Sequence, residues 1–323
     1  MSSSLNIAVI GLGSHARRNA LPALNHIDGI NIAGVLTRNE EVARTVAEQY
    51  QCKVYIDMDE LVSDKAIDVV YIALPAGLHA DWGLEIVSAG KHLWCEKPLT
   101  HDLARTSEIL ERAKTRQVAV CECFMYQFHP QFIRLKQLID DGRVGEIRSL
   151  VGRFCFPHRQ QDDIRYSAEL GGGALLDAGC YLVHSARLLL GETPGRVYSR
   201  TSTEAGYEVD TSGFAVLEYE DGANAWLHWG FGISYMNELE ILGETGRIRV
   251  ERSFSKPPDY LSRIEIRDTD GSEEIVEVSP ANHFTEMFLT FIRTCHDENL
   301  RNLYYTDAQS QASFMQKLIS PGQ

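Results

Sequence analysis

The sequence predicts two domains: an α/β domain with a parallel, doubly wound sheet, and an α+β domain with a large, mostly antiparallel open sheet. Three observations support this. The 323 residues correspond to two domains at roughly 150 residues each. In residues 1–123, short β-rich runs alternate with amphipathic runs of helical length, as in βαβ units. In residues 124–323, longer β-rich runs are separated by turn signals, as in antiparallel hairpins.

The first predicted domain contains short apolar runs that are typical of buried parallel strands. These runs are Ile7–Gly11, Ile30–Leu36, Val69–Leu74, Lys91–Cys95 and Val118–Cys121. Helical stretches such as Asn39–Tyr50 and Leu103–Arg116 lie between them. In a sheet of this kind, ligands bind beyond the carboxyl ends of the strands, so we expect the functional residues there.

The second predicted domain combines helices with a series of hairpin strands. One helix, His129–Gly142, begins at Pro130, and another, Ala174–Leu190, follows three glycines and ends at Gly191. The predicted strands are Glu146–Phe156, Gly195–Thr203, Phe214–Tyr219, Ala223–Gly230, Tyr235–Leu242, Arg247–Arg252 and Ile264–Arg267, and a final helical region follows Asn282.

Composition and charge exclude several classes of protein. Thirty-one Lys and Arg against 45 Asp and Glu leave a net charge of −14, which argues against nucleic-acid and anionic-membrane partners. No apolar run approaches the roughly 20 residues of a membrane helix, and the first residues lack the features of a signal peptide, so we expect a cytoplasmic protein. The seven cysteines show no metal-binding spacing, and we predict no metal site.

A glycine-rich element directly follows the first predicted strand. It has the pattern G-x-G-x-x-A, with Gly11, Gly13 and Ala16 at the fixed positions and Ser14 and His15 between them. Gly11 permits a tight turn, Gly13 lets the backbone approach a pyrophosphate, and Ala16 allows close packing of the following helix. This strand, turn and helix predict a dinucleotide site in a Rossmann domain.

The end of the second strand indicates which dinucleotide binds. Sites specific for NAD place an acidic residue there to bind the ribose 2′-hydroxyl, whereas Arg accommodates a 2′-phosphate. This chain has Thr37 and Arg38 at that position, and a guanidinium can bind a phosphate in bidentate fashion. We therefore predict NADP(H), with a solvated surface Arg38 as the alternative.

Two further segments carry side chains suited to carbonyl chemistry. Glu96 and Lys97 follow the strand Lys91–Cys95, where an ammonium can polarise a carbonyl or stabilise a developing alkoxide. Asp177, Tyr181 and His184 are spaced i, i+4 and i+7, so an α-helix places them on one face. Tyr181 is the predicted proton donor, and His184 is its competitor for that role.

Four motifs together resemble the glucose–fructose oxidoreductase and inositol dehydrogenase family along essentially the whole chain. They are GLGSHARRNALPAL, LPAGLH, CEKPL and GGGALLDAGCY. Within that family the chain is most similar to NADPH-dependent nucleotide-sugar 3-ketoreductases of deoxysugar biosynthesis. The segments CFMYQFHPQF, DDIRYSAELGGGALLDAGCY and NELEILGETGRIRVERSFSKPPDY carry this closer likeness.

The resemblance implies roles for individual residues. Lys97 and Tyr181 would flank the substrate beside the nicotinamide, and Asp177 would orient them. Many inositol dehydrogenase-like members have His where this chain has Tyr181. The family's Trp-Arg pair before the glycines is here Ile164 and Arg165, so Arg165 is expected near the nicotinamide, with a structural salt bridge as the alternative.

Further contacts are expected from the same resemblance. Leu74, Pro75 and His79 match the loop along the nicotinamide ribose, although His79 could equally cap the next helix. Glu96 is expected to accept a hydrogen bond near the cofactor. His129, with Gln131 beside it, is expected to face the sugar or its phosphates, and His184 is expected to neighbour the substrate.

The sequence thus predicts an NADPH-dependent oxidoreductase that reduces the ketone of a nucleotide-linked keto-deoxysugar. An alternative is an NAD(P)-dependent dehydrogenase of a free sugar, an inositol or a dihydrodiol. A remote third alternative is a non-catalytic NADP(H) sensor, which would need neither Lys97 nor Tyr181. An uncovered face of the second sheet and the family resemblance both predict a homodimer or homotetramer.

Overall fold

The computed structural model describes residues 4–319. These residues form two compact units, which are described separately below. The first contains residues 4–124 and 284–312, and the second contains residues 125–283 together with 313–319.

The first unit is built on a six-stranded parallel sheet. The strands are β1 (Leu5–Ile10), β2 (Ile30–Leu36), β3 (Lys53–Val54), β4 (Val69–Ile72), β5 (His92–Glu96) and β6 (Val120–Cys123). Their order is β3-β2-β1-β4-β5-β6, and every neighbouring pair is parallel. This is the strand order of the dinucleotide-binding Rossmann fold, so the predicted doubly wound sheet is confirmed.

Helices connect these strands, and side-chain caps begin several of them. The helices are α1 (Leu21–Asn25), α2 (Glu40–Tyr50), α3 (Met58–Ser63), α4 (His79–Ser88) and α5 (Leu103–Arg116). Asn39, Asp57 and Asp102 accept hydrogen bonds from backbone N–H groups in the first turns of α2, α3 and α5, respectively. Such caps satisfy donors that a helix cannot satisfy itself.

The second unit contains an eight-stranded sheet. Its strands are β7 (Ile147–Phe156), β8 (Arg196–Ser202), β9 (Ser212–Glu218), β10 (Asn224–Phe231), β11 (Met236–Gly243), β12 (Gly246–Glu251), β13 (Ser262–Asp268) and β14 (Glu273–Val278). The order is β14-β13-β12-β11-β7-β10-β9-β8. Strands β7 and β10 pair in parallel and the other neighbours pair antiparallel, which confirms the predicted sheet.

One face of this sheet is buried, and the other exposes aromatic side chains along three strands. Leu227 and Trp229 of β10 are at most 1% exposed. Tyr198, Phe214 and Trp226 of β8, β9 and β10 are 61%, 40% and 55% exposed. The alternation along β10 follows from the two-residue period of a strand, which sends successive side chains to opposite faces.

The two predicted helices of this unit differ in regularity. Helix α6 (Pro130–Asp140) begins after His129, as expected. The predicted helix Ala174–Leu190 instead begins with a π-helical turn, Leu175–Gly179, and continues as α7 (Cys180–Leu190). A π-helical turn has more residues per turn than an α-helix, so the α-helical angles expected between Asp177 and the residues that follow do not hold.

Asp210 holds the start of this helical segment. Its carbonyl oxygen accepts from Ala174 N at 2.8 Å, and its carboxylate Oδ2 accepts from Leu175 N at 2.8 Å. Gly173 has a φ of +114°, and a Cβ there would lie 2.4 Å from Asp210 Oδ1. The last of the three glycines is therefore required by both its backbone conformation and this close contact.

Two C-terminal helices, α8 (His283–His296) and α9 (Glu298–Ile319), complete the described chain. The sequence assigned all of 124–323 to the second domain, whereas residues 284–312 pack with the first unit. Phe288 of α8 stacks on Trp94 of β5 at 5.6 Å between ring centroids, and the Tyr305 hydroxyl of α9 donates to the Val118 carbonyl. No helix within residues 4–319 is long and apolar enough to span a membrane.

Replacing Asp210 tests its role as a cap for the helical segment. Asp210→Ala removes the acceptor of the Leu175 N–H, and we expect the free energy of unfolding to fall by about 1–2 kcal/mol. Asp210→Asn keeps an acceptor oxygen and should lose less. Urea unfolding followed by circular dichroism measures both variants. An Asp210→Ala variant as stable as the wild type would contradict this role.

Candidate active site

The glycine-rich turn lies at the carboxyl end of β1. Gly11 has a φ of +86°, and a Cβ there would lie 2.6 Å from the Ala73 carbonyl oxygen, so glycine is required. Gly13, Ser14 and His15 are exposed. A π-helical turn, Ala16–Ala20, follows in place of a regular first α-helical turn. These exposed residues leave the turn after β1 accessible to a ligand.

Thr37 and Arg38 lie at the adjacent carboxyl end of β2. Thr37 is half-buried and Arg38 is exposed, and Asn39 immediately after them caps α2. The first acidic residue after β2 is Glu40, already within the helix. The strand tip itself thus offers a hydroxyl and a guanidinium, not a carboxylate.

Glu96 ends β5 and is a buried carboxylate with two side-chain partners. The Tyr71 hydroxyl donates to Glu96 Oε1 at 2.6 Å, and His15 Nε2 lies 3.2 Å from the same oxygen. Burial tends to raise the pKa of Glu96, but His15, Tyr71 and the nearby Lys97 ammonium together hold that pKa below its usual value. These contacts favour the ionised form of Glu96, which accepts hydrogen bonds.

The next three residues, Lys97, Pro98 and Leu99, are also anchored to buried polar groups. Lys97 is half-buried, and the Lys97–Pro98 peptide bond is cis. The Leu99 N–H donates to Glu122 Oε1 at 2.8 Å. The Pro98 carbonyl oxygen lies 2.8 Å from His79 Nδ1. Hydrogen bonds on both sides of Lys97 thus fix the backbone that carries it.

His79 does not cap a helix. It begins α4, and no side-chain hydrogen bond caps that helix. Its imidazole is 1% exposed and contacts the carbonyl oxygens of Leu74 and Pro98. Burial lowers the pKa of His79, although both carbonyl contacts oppose that change. Leu74 and Pro75, in the loop after β4, are half-buried.

In the second unit, Asp177 and Arg165 form an ion pair. Arg165 Nε donates to Asp177 Oδ2 at 2.7 Å, and Arg165 Nη1 donates to Asp163 Oδ1 at 3.0 Å. A Cβ at Gly172 would lie 2.4 Å from the Arg165 carbonyl oxygen, so the glycine run lets this segment approach closely. The salt bridge considered as the alternative for Arg165 is present. Its contact with a cofactor stays a prediction.

Tyr181 projects from α7 into a cluster of aromatic rings. Its centroid lies 5.9, 5.5 and 5.6 Å from those of Tyr126, Phe154 and Phe254, and the residue is 5% exposed. Its hydroxyl donates to Met125 Sδ at 3.4 Å. A thioether is a weak hydrogen-bond acceptor.

His184 lies one turn further along α7 and is completely buried. Its Nδ1 is 2.8 Å from the Tyr126 hydroxyl, and the two rings meet edge to face. Sequence reasoning missed Tyr126, because it lies in an apolar run between a strand and a helix where nothing distinguishes it. The structure thus gives His184 a buried hydroxyl partner, and the choice between Tyr181 and His184 as proton donor stays a prediction.

His129 and Gln131 hold the start of α6. His129 is completely buried, and its Nδ1 accepts from Gln131 N at 3.0 Å. Burial lowers the pKa of His129 to about 3, and Lys256 adds to the effect. Gln131 Nε2 donates to the carbonyls of Glu251 and Arg263. His129 therefore has a structural role at the start of α6, and its expected contact with the substrate stays a prediction.

Comparisons with known proteins extend this description. Residues 5–124 match a family model described as "Oxidoreductase family, NAD-binding Rossmann fold", and residues 132–249 match "GFO/IDH/MocA C-terminal domain". A dTDP-3,4-didehydro-2,6-dideoxy-alpha-D-glucose 3-reductase from Actinomadura kijaniata is 34% identical over 85% of this chain and 83% of its own length. A D-xylose 1-dehydrogenase (NADP(+)) from Haloferax volcanii is 32% identical over 88% and 87%.

A comparison with solved structures supports the same family. A crystal structure of a 3-ketoreductase from Actinomadura kijaniata, in complex with NADP and TDP-benzene, has a TM-score of 0.93 and 31% sequence identity. The match covers 98% of this chain and 97% of that one. The chain therefore belongs to the GFO/IDH/MocA family and is an NAD(P)(H)-dependent oxidoreductase of sugar-like substrates.

Proposed function

We propose that this chain reduces the ketone of a nucleotide-linked keto-deoxysugar with NADPH. Relatives from Actinomadura kijaniata and Streptomyces violaceoruber, 34% and 36% identical, are both dTDP-3,4-didehydro-2,6-dideoxy-alpha-D-glucose 3-reductases. The observation that carries the proposal is the environment of Tyr181. It is a buried phenol whose hydroxyl donates to a weak thioether acceptor, in an oxidoreductase of this family.

NADP(H) is the cofactor, and the residues of the first unit fit it. The turn at Gly11 has no room for a Cβ, the residues Gly13 to His15 are exposed, and Arg38 rather than an acid follows β2. We assign the pyrophosphate to the glycine-rich turn and the 2′-phosphate to Thr37 and Arg38. When bound, the reduced nicotinamide supplies the hydride that adds to the carbonyl carbon.

The chain's own residues supply the remaining steps. Tyr181 would donate its hydroxyl proton to the carbonyl oxygen as negative charge develops there. Lys97, on its anchored segment, would stabilise that charge. Asp177, through its salt bridge with Arg165, would hold the turn that precedes Tyr181. Glu96 would remain ionised and accept hydrogen bonds at the cofactor site.

A second candidate function is oxidation of a free sugar by NADP+. It is favoured by the D-xylose 1-dehydrogenase from Haloferax volcanii, which is 32% identical to this chain. The same residues would then work in reverse, with Tyr181 accepting a proton. Reduction of NADP+ with a free aldose, at a rate that exceeds ketone reduction, would favour this candidate.

We also propose that the chain forms a homodimer or homotetramer through the open face of its second sheet. Tyr198, Phe214 and Trp226 expose aromatic surface on adjacent strands. Such patches commonly mark interfaces in soluble proteins. Light scattering of Trp226→Glu should show a smaller assembly than the wild type, and a monomeric wild type would refute the proposal.

Tyr181→Phe tests the proposed proton donor. We expect kcat to fall by about 10²–10⁴-fold, the usual contribution of general acid catalysis, while the Kd for NADPH changes little. Lys97→Ala should behave similarly, through lost charge stabilisation. Tyr198→Phe, a substitution on the exposed sheet face, is the control and should retain full activity. Stopped-flow kinetics with fluorescence titration of NADPH separates the two effects.

The same assay decides between Tyr181 and His184. Full turnover in Tyr181→Phe, together with a large loss in His184→Asn, would transfer the acid role to the histidine. Loss in Tyr181→Phe alone supports the phenol.

Arg38→Ala tests recognition of the 2′-phosphate. Removing the guanidinium should raise the KM for NADPH by about tenfold or more, because a charge-assisted hydrogen bond to phosphate contributes about 1.5–3 kcal/mol. The KM for NADH should hardly change. Arg44→Ala, which removes another exposed arginine of the same region, serves as the control. An Arg38→Ala enzyme with unaltered preference for NADPH would show that Arg38 is a solvated surface residue.

A further inference from the structure

His79 joins two loops that leave the parallel sheet at neighbouring strands. Its Nε2 lies 2.9 Å from the carbonyl oxygen of Leu74, in the loop after β4. Its Nδ1 lies 2.8 Å from the carbonyl oxygen of Pro98, in the loop after β5. A carbonyl oxygen only accepts hydrogen bonds, so His79 is the donor: through one nitrogen when neutral and through both when protonated.

The contact between His79 and Pro98 lies next to Lys97 in the chain. Pro98 is the next residue, and on the other side of Lys97 the Glu96 carboxylate is held by the Tyr71 hydroxyl. Beyond Pro98, Glu122 binds the Leu99 N–H. Of these three residues, Tyr71, His79 and Glu122, His79 is the one that also connects the segment around Lys97 to the loop after β4.

A buried imidazole costs free energy unless its nitrogens form hydrogen bonds. His79 is 1% exposed, and placing a polar ring there is favourable only if its nitrogens find partners. Both partners are backbone carbonyls of different loops. The side chain therefore links the loop after β4 to the loop after β5, one residue from Lys97.

We propose that His79 is a positioning residue that fixes the place of Lys97 through the contacts of its ring nitrogens with the carbonyls of Leu74 and Pro98. This proposal rests on the role of Lys97 proposed above. With this role His79 would not make the cofactor contact that the sequence predicts, because both nitrogens of its buried imidazole already contact carbonyl oxygens.

Three substitutions separate the two contacts. His79→Phe fills the space without a donor. In His79→Asn the amide nitrogen occupies the place of Nδ1 and can still donate to Pro98. In His79→Gln the amide nitrogen reaches the place of Nε2 and can still donate to Leu74. A displacement of about 1 Å can cost about 10²-fold in rate, so we expect kcat to fall by about 10–100-fold in His79→Phe.

The contact with Pro98 should matter more than the contact with Leu74, because Pro98 adjoins Lys97. His79→Asn should therefore recover more of kcat than His79→Gln, with the Kd for NADPH close to wild type in both.

His92→Phe is the matched control. His92 begins β5 and its Nδ1 accepts from Ala119 N at 2.8 Å, so its loss affects stability but not the Lys97 segment. We expect it to lower Tm and retain kcat.

A double-mutant cycle with Lys97→Ala completes the test. If His79 acts through Lys97, His79→Phe should cost almost nothing further once Lys97 is alanine, whereas independent effects would multiply. A full additional loss in the Lys97→Ala background, or wild-type kcat in His79→Phe, overturns this proposal. Full activity in Lys97→Ala itself would instead refute the proposed role of the lysine.

Discussion

The buried carboxylate of Glu96 is the constraint on which the arrangement of the first unit depends. It lies at the end of β5, receives a hydrogen bond from Tyr71 of β4, and contacts His15 of the glycine-rich turn after β1. One ionised group thus joins three strand ends of the parallel sheet. Because a buried charge is costly when its partners are lost, this junction favours one conformation of the cofactor turn and of the segment that carries Lys97.

In the second unit the corresponding constraint is the start of the helical segment that carries Asp177 and Tyr181. Asp210 holds its first N–H groups, and Arg165 binds the Asp177 carboxylate. Both contacts fall on the π-helical turn Leu175–Gly179, which directly precedes α7. Such turns occur frequently at functional sites. Here the turn decides where the side chains after Asp177 point, so the placement of Tyr181 depends on backbone geometry as much as on sequence spacing.

Much of this architecture could be predicted from the sequence, because strand periodicity, glycine turns and caps are local signals. The predicted parallel sheet, the antiparallel sheet and the helix after His129 are all confirmed. Two strands were not predicted: β3 has only two residues, and β14 is rich in glutamate. Their pairing depends on neighbouring strands, not on their own composition.

The site was predicted less completely, because its details depend on contacts between distant residues. Spacing alone indicated Asp177, Tyr181 and His184 but not the π-helical turn. It also gave no sign of Asp210 or of the hydroxyl of Tyr126, 58 residues away from His184 in sequence. The packing of residues 284–312 with the first unit could not be read from an amphipathic pattern, which identifies a buried face but not its partner.

The central claim is that this oxidoreductase acts on nucleotide-linked ketones. The most direct test is the rate of NADPH oxidation with a dTDP-linked 3-keto-deoxysugar, compared with free ketoses under the same conditions. We predict turnover with the dTDP-linked ketone and little or none with the free ketoses. Equal or faster reaction of the free ketoses, with no turnover of the nucleotide-linked compound, would contradict the claim.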